Sequence, residues 1–133
     1  VVEVLNDRDI SVHHFHVTTL KPFTDHEILY AIKNSKYGVI TMENHTEIGG
    51  LGTCVAELIA GNCLNKKLKK IALNDTYLQG ASTKFLMSRY KIDALSVIAQ
   101  VEELIGKKLD IFDKDLSLAR IDTYFNEKQQ EAL

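Results

Sequence analysis

Between Tyr37 and Ile59 the chain reads Y-G-V-I-T-M-E-N-H-T-E-I-G-G-L-G-T-C-V-A-E-L-I. Side chains able to do chemistry concentrate here: the acid Glu43, the imidazole of His45 and the thiol of Cys54. Gly49, Gly50 and Gly52 lie between them. An apolar run that ends in polar residues reads as a buried strand. Ligands of open α/β sheets bind beyond the carboxyl ends of such strands. Free N–H groups at the start of the following helix could hold a phosphate or carboxylate. Glu43, His45, Gly49, Gly50 and Gly52 are therefore the candidate anion or ligand turn. The same glycines also serve a purely structural purpose, a tight turn with close helix–sheet packing. The spacing is G-G-x-G rather than the dinucleotide G-x-G-x-x-G, and no G-K-[ST] follows.

Other reactive residues carry less. His14 and His16 share a strand face at i, i+2, a spacing known from zinc sites, with a third ligand to come from His26 or His45. Neither Cys54 nor Cys63 has motif spacing to them, so we expect solvent or interface histidines and no metal site. Glu102 and Glu103 face different directions on a helix and read as solvation rather than an acid/base pair. Ser82 and Ser96 lack a G-x-S-x-G setting. Cys54, at a helix start, is a candidate reactive thiol, against the ordinary reading of an inert buried one.

The elements that must position these residues follow from periodicity. Residues 1–8 read as the end of a helix closed by an N-D-R-D turn; its start at residue 1 without a cap predicts a chain cut from something longer. Ile10 to Val17 alternates as a strand. Lys21-Pro22 breaks the chain, and Thr24 with Glu27 forms a capping box for a helix ending near Ser35. Tyr37 to Met42 reads as a strand covered on both faces. Glu43 to Gly52 is a turn, and Thr53 to Ala60 a helix stopped by Gly61. Lys70 to Leu73 is a short strand. Ser82 and Asp93 cap two more helices, the second ended by Gly106. Residues 109–133 read as a charged tail with Leu116, Ile121, Tyr124 and Phe125 at helical spacing, a docked or partner-facing helix. Alternating strands and helices of this length make βα units: a three-layer α/β/α fold on a mainly parallel sheet of about three to five strands.

Composition is that of one ordinary globular domain. The 133 residues are 45% hydrophobic and 26% charged, with net charge −2. The one basic cluster, Lys66, Lys67, Lys69 and Lys70, reads as a solvated edge, and no nucleic-acid motif accompanies it. No apolar run approaches the ~20 residues of a bilayer span, and the N-terminus lacks signal-peptide features. Two cysteines without C-x-x-C predict reduced, buried thiols in a cytoplasmic protein, with no disulfide between them.

Four segments in register resemble the C-terminal domain of transketolases. They are Lys21-Pro22-Phe23-Thr24-Asp25; Glu43-Asn44-His45 with Gly49-Gly50-Leu51-Gly52 and Ala56-Glu57; Asn74-Asp75, Tyr77 and Gly80-Ala81-Ser82; and Tyr90-Lys91-Ile92-Asp93. The resemblance runs from residue 1 to about 108. Asn44 stands where the family has Asp, and Thr24 where Asp follows Lys-Pro. The related domains of 1-deoxyxylulose-5-phosphate synthases and 2-oxo acid dehydrogenase β subunits more often carry E-E at that strand end.

The resemblance implies a domain at 1–108 that is non-catalytic and supports assembly. Thiamine diphosphate and a divalent metal are held by other domains of the parent enzyme, and ketol units pass between sugar phosphates. The implied partners are the remaining transketolase domains or an N-terminal subunit, in a homo-oligomer. The family domain also begins with a strand this sequence lacks, which predicts self-association or a truncated chain. An independent anion- or nucleotide-binding module using the Glu43–Gly52 turn is the alternative.

Overall fold

Three helix starts are written in single side chains. Asp25 accepts hydrogen bonds from the N–H groups of Glu27 and Ile28, Ser82 from Phe85, and Asp93 from Ser96, each meeting orphan donors of a first turn. The computed structural model describes residues 1–118. In chain order the elements are α1 (Val2–Asn6), α2 (His26–Asn34), β1 (Val39–Thr46), α3 (Leu51–Gly61), β2 (Leu68–Leu73), α4 (Thr83–Arg89), α5 (Ala94–Ile105) and α6 (Asp113–Leu118).

β1 and β2 pair in parallel, with Val39 opposite Leu68 and Met42 opposite Ile71. The next pair is Thr46 with Leu73, so β1 advances four residues while β2 advances two. That irregularity bends β1 at Glu43–His45. Parallel partners need a crossover, and α3 supplies it.

Helices cover both faces, giving the three-layer α/β/α arrangement. On one face Val4, Leu5, Ile98, Val101, Leu109 and Leu116 form a core that Ile40 joins; on the other, Ile28, Ile32 and Val55 form a second core joined by Val39. Consecutive strand residues point to opposite faces, so Val39 and Ile40 tie the sheet to both. Leu5, 1% exposed, is the most deeply buried large side chain. Residues 109–118 belong to the first core through Leu109, Ile111 and Leu116. Ile121, Tyr124 and Phe125 lie outside the described residues.

Several expectations need correction. Ile10–Val17 is not a strand, and the sheet has two strands among the described residues rather than three to five. A strand exists only through a hydrogen-bonded neighbour. No backbone group of Ser11–Thr24 bonds to another described backbone group. Asp25 rather than Thr24 is the cap, one residue later. β1 runs on to Thr46, into the segment expected as a turn, and α3 starts at Leu51 rather than Thr53 and includes Gly61. Both thiols are free, but Cys63 is exposed rather than buried and Cys54 is half-buried.

Candidate functional site

The turn after β1 is built around one carboxylate. The β1 irregularity turns Glu43 toward the start of α3. There its Oε2 accepts the Leu51 N–H at 2.8 Å and its Oε1 the Gly52 N–H at 2.9 Å. The helix N-cap is Gly50, which has no side chain to do this. Glu43 thus caps α3 from the strand, and its negative charge meets the positive end of the helix dipole. A Cβ on Gly50 would stand 2.0 Å from Glu43 Oε2, so only glycine admits the carboxylate.

The remaining donors are also committed. The N–H groups of Thr53 and Cys54 donate to the Gly50 carbonyl, both at 3.1 Å. Gly49, at φ +78°, donates its N–H to Thr53 Oγ1 at 2.9 Å, and that hydroxyl donates to the Glu47 carbonyl at 3.3 Å. Glu47 in turn donates its N–H to the Leu73 carbonyl of β2 at 3.0 Å. Gly52 packs over the Lys70 stem, and Lys70 Nζ donates to the Glu47 carbonyl at 3.4 Å. His45 stands apart and exposed, its Nδ1 3.4 Å from the Thr46 carbonyl oxygen.

Of the five candidate residues, Glu43, Gly49, Gly50 and Gly52 therefore meet in one latch and His45 does not join it. Thr53 and Lys70 belong to the latch and were not singled out from sequence. A Thr three residues beyond Gly50, in the first turn of α3, was the available signal for the first. Lys70 comes from β2 and carried no local signal. His13, His14 and His16 are exposed. Among the described residues no group of three His, Cys, Asp or Glu side chains is placed to hold a metal ion. No helix among them is long and apolar enough to cross a membrane. A cavity of about 380 Å³ lies away from the turn, lined by Phe15, His16, Val17, Phe23, Asp25 and Ile28 among others.

Residues 1–97 match the family model of the transketolase C-terminal domain. The chain belongs to this family. A Methanocaldococcus jannaschii protein named as a transketolase C-terminal section is 41% identical over 106 residues, covering 80% of this chain and 32% of the relative. The 1-deoxy-D-xylulose-5-phosphate synthase of Parabacteroides distasonis is 29% identical over 102 residues, covering 77% of this chain and 16% of that enzyme. A solved structure titled a split gene transketolase, inactive beta4 tetramer, superposes with a TM-score of 0.66 at 28% identity, covering 81% of this chain and 34% of that one. The transketolase-domain chain thus spans about a third or less of these relatives.

Proposed function

We propose that this chain is the non-catalytic C-terminal assembly domain of a thiamine-diphosphate-dependent transketolase, an enzyme that moves two-carbon ketol units between sugar phosphates. The observation that carries the reading is the family match over residues 1–97 in a chain that spans 32% of its Methanocaldococcus relative. The latch supports it. The Glu43 carboxylate and the first two N–H groups of α3 satisfy each other, so the latch joins strand to helix instead of facing a substrate. The turn does not fit a metal-bound diphosphate, since no group of three His, Cys, Asp or Glu side chains among the described residues is placed to hold a metal and the opening N–H groups of α3 are bonded to Glu43. Cofactor and metal belong to the rest of the enzyme.

The surface supports a docking role. α4 buries none of its residues, and Tyr77, Leu78, Phe85 and Met87, close together in sequence, are all exposed. Exposed large apolar side chains of this kind suit a contact surface. The partners we propose are the remaining transketolase domains, on the same polypeptide or on an N-terminal subunit, within a cytoplasmic homo-oligomer.

The test is reconstitution. The chain, alone and combined with a polypeptide carrying the diphosphate- and pyrimidine-binding domains, is assayed for ketol transfer and for thiamine diphosphate binding by calorimetry. Activity only in the combination is expected; cofactor binding by this chain alone sinks the reading. Formation of 1-deoxyxylulose 5-phosphate by the combination would assign the chain to the synthase branch instead. A ligand role for Glu43, His45 and the glycine turn requires an anion to displace Glu43, and a rise in melting temperature with sugar phosphates or nucleotides would reveal it.

A further inference from the structure

We infer that the corner of the molecule where β1 and β2 begin binds an acidic segment of the polypeptide with which this chain assembles. Charge is segregated here. Residues 28–42 and 58–74 contain no aspartate or glutamate, yet they hold six lysines. The fold lays the two stretches side by side. Val39 donates its N–H to the Lys67 carbonyl at 2.9 Å, and Lys66 Nζ donates to the Ser35 carbonyl at 2.6 Å. Lys33 in the last turn of α2, Lys36 ahead of β1, and Lys66 and Lys67 ahead of β2 thus share one corner. In sequence only Lys66–Lys70 forms a cluster; pairing of β1 with β2 adds Lys33 and Lys36.

These cations are not matched within the fold. Among the described residues Lys33, Lys36, Lys66 and Lys67 form no ion pair, and Glu103, reaching in from α5, is bonded to Lys69. Lys33, Lys36 and Lys67 are exposed. Tyr37 is 45% exposed, and the Lys36 ammonium lies 5.0 Å from the centre of its ring. A cation in the last turn of a helix offsets the dipole, which accounts for Lys33. It does not account for Lys36 and Lys67, which lie past the last turns of α2 and α3.

The chemistry selects the occupant. Like charges around one aromatic ring repel each other and attract carboxylates. Neighbouring strands lie ~5 Å apart, so Lys36 and Lys67 stand at a spacing that successive acids of an extended segment can meet. A phosphate polymer suits the corner less, because neither stretch contains an arginine to fork onto phosphate. The chain's net charge of −2 also repels a long polyanion. A second copy suits it less too, since a two-fold dimer would set this patch against itself, lysine against lysine. The inference deepens the assembly reading and rests on it for the source of the segment.

The test titrates the chain with an acetylated, amidated peptide, E-D-E-L-D-E-D, and follows backbone amides by NMR at low salt; Q-N-Q-L-N-Q-N is the uncharged control. Saturable shifts at Lys36, Tyr37 and Lys67 are expected with the acidic peptide only, and ~0.5 M NaCl should weaken binding about tenfold. Lys36→Glu combined with Lys67→Glu should raise Kd about tenfold or more. Lys21 and Lys84 are exposed elsewhere, and reversing both, the same change in net charge, should alter Kd less than about twofold. The spectra themselves report folding. If the corner variant unfolds, Lys36→Gln with Lys67→Gln takes its place and should raise Kd about threefold.

Four results overturn the inference: no saturable shift at these residues, equal weakening by the two double reversals, shifts only as the chain self-associates, or tighter binding of a thymidine oligonucleotide at the same residues. In the reconstituted enzyme the corner variant should slow association about tenfold at low salt and leave turnover of the assembled enzyme unchanged. The titration needs no activity, so failure of the acidic-segment surface and failure of the assembly reading are told apart.

Discussion

Glu43–Cys54, which runs from the end of β1 into α3, and Ser11–Thr24 both carry polar side chains next to backbone that must find partners. In the first, the carboxylate, the opening N–H groups of α3, the Thr53 hydroxyl and the Glu47 carbonyl form a closed set anchored on β2. In the second, two valines reach the cores but the backbone bonds to nothing described. Apolar packing alone thus fixes where a segment lies, while pairing of its polar groups decides whether it becomes regular structure. The closed stretch should be intolerant of substitution, and the open one forgiving.

Gly50→Ala should give the largest effect. Its Cβ would fall within 2.0 Å of Glu43 Oε2, so the carboxylate must leave both N–H groups. The loss should be about 3 kcal/mol, from two first-turn donors left without their carboxylate. Gly49→Ala meets open space and only the strain of φ +78°, and should cost about 1 kcal/mol. Denaturant midpoints compare the two, and equal losses would break the closed-latch account.

Next comes Glu43→Gln, which keeps the shape but replaces one accepting oxygen with a donor and removes the charge. We expect a loss of about 2 kcal/mol in chemical unfolding. Glu43→Ala sharpens the comparison further. If inorganic phosphate restores its stability selectively, the vacated helix start is a competent anion site; if not, the latch accepts only its own carboxylate.

The caps show what sequence alone can reveal. Ser82 and Asp93 act within three residues of themselves, so reading them needs no tertiary knowledge. Thr24 and Asp25 both offer a capping oxygen, and the local capping-box spacing to Glu27 pointed to Thr24, whereas Asp25 is the cap. Ile10–Val17 has the alternation of a strand and packs valines as one, but its neighbour is not written in its own residues. The turn was legible as a special place, because Glu43 and three glycines are unusual after an apolar run. Its chemistry was not, since the same pattern describes an acid facing a ligand and an acid folded back onto its own helix. Only the eight-residue reach from Glu43 to Leu51 separates the two. The 109–116 segment reads as charged because its few apolar residues are spaced apart, yet Leu109, Ile111 and Leu116 are buried.

A weaker closure sits at the far end of α5. Glu102 accepts from Lys108 Nζ at 2.7 Å and from the Leu109 N–H at 2.8 Å, which anchors Leu109 in its core. The Lys108 hydrogen bond first, then the Leu109 amide, hold the Glu102 carboxyl below its usual pKa, and the same pair raises Lys108. A depressed carboxyl contributes stability above its unfolded value of about 4.3, lost as pH falls through the folded value. Raised Lys108 contributes below about pH 10.4 and loses it only as pH climbs through the folded value. Melting temperature against pH should therefore drop less steeply below pH ~4.5 in Glu102→Gln than in the parent. Parallel curves would show that this bond set does not close the turn.

The smallest effect is expected in the open stretch. Proline inside a paired strand removes a ladder hydrogen bond, but His14 is exposed and its N–H meets no described backbone acceptor. Proline also holds its predecessor extended, which suits a segment that already runs without helix or turn from Ser11 to Leu20. His14→Pro should shift stability in the isolated chain by no more than about 0.5 kcal/mol. A loss comparable to that of Glu43→Gln would mean that Ser11–Thr24 is held by backbone pairing after all, and the contrast between the two stretches would fall.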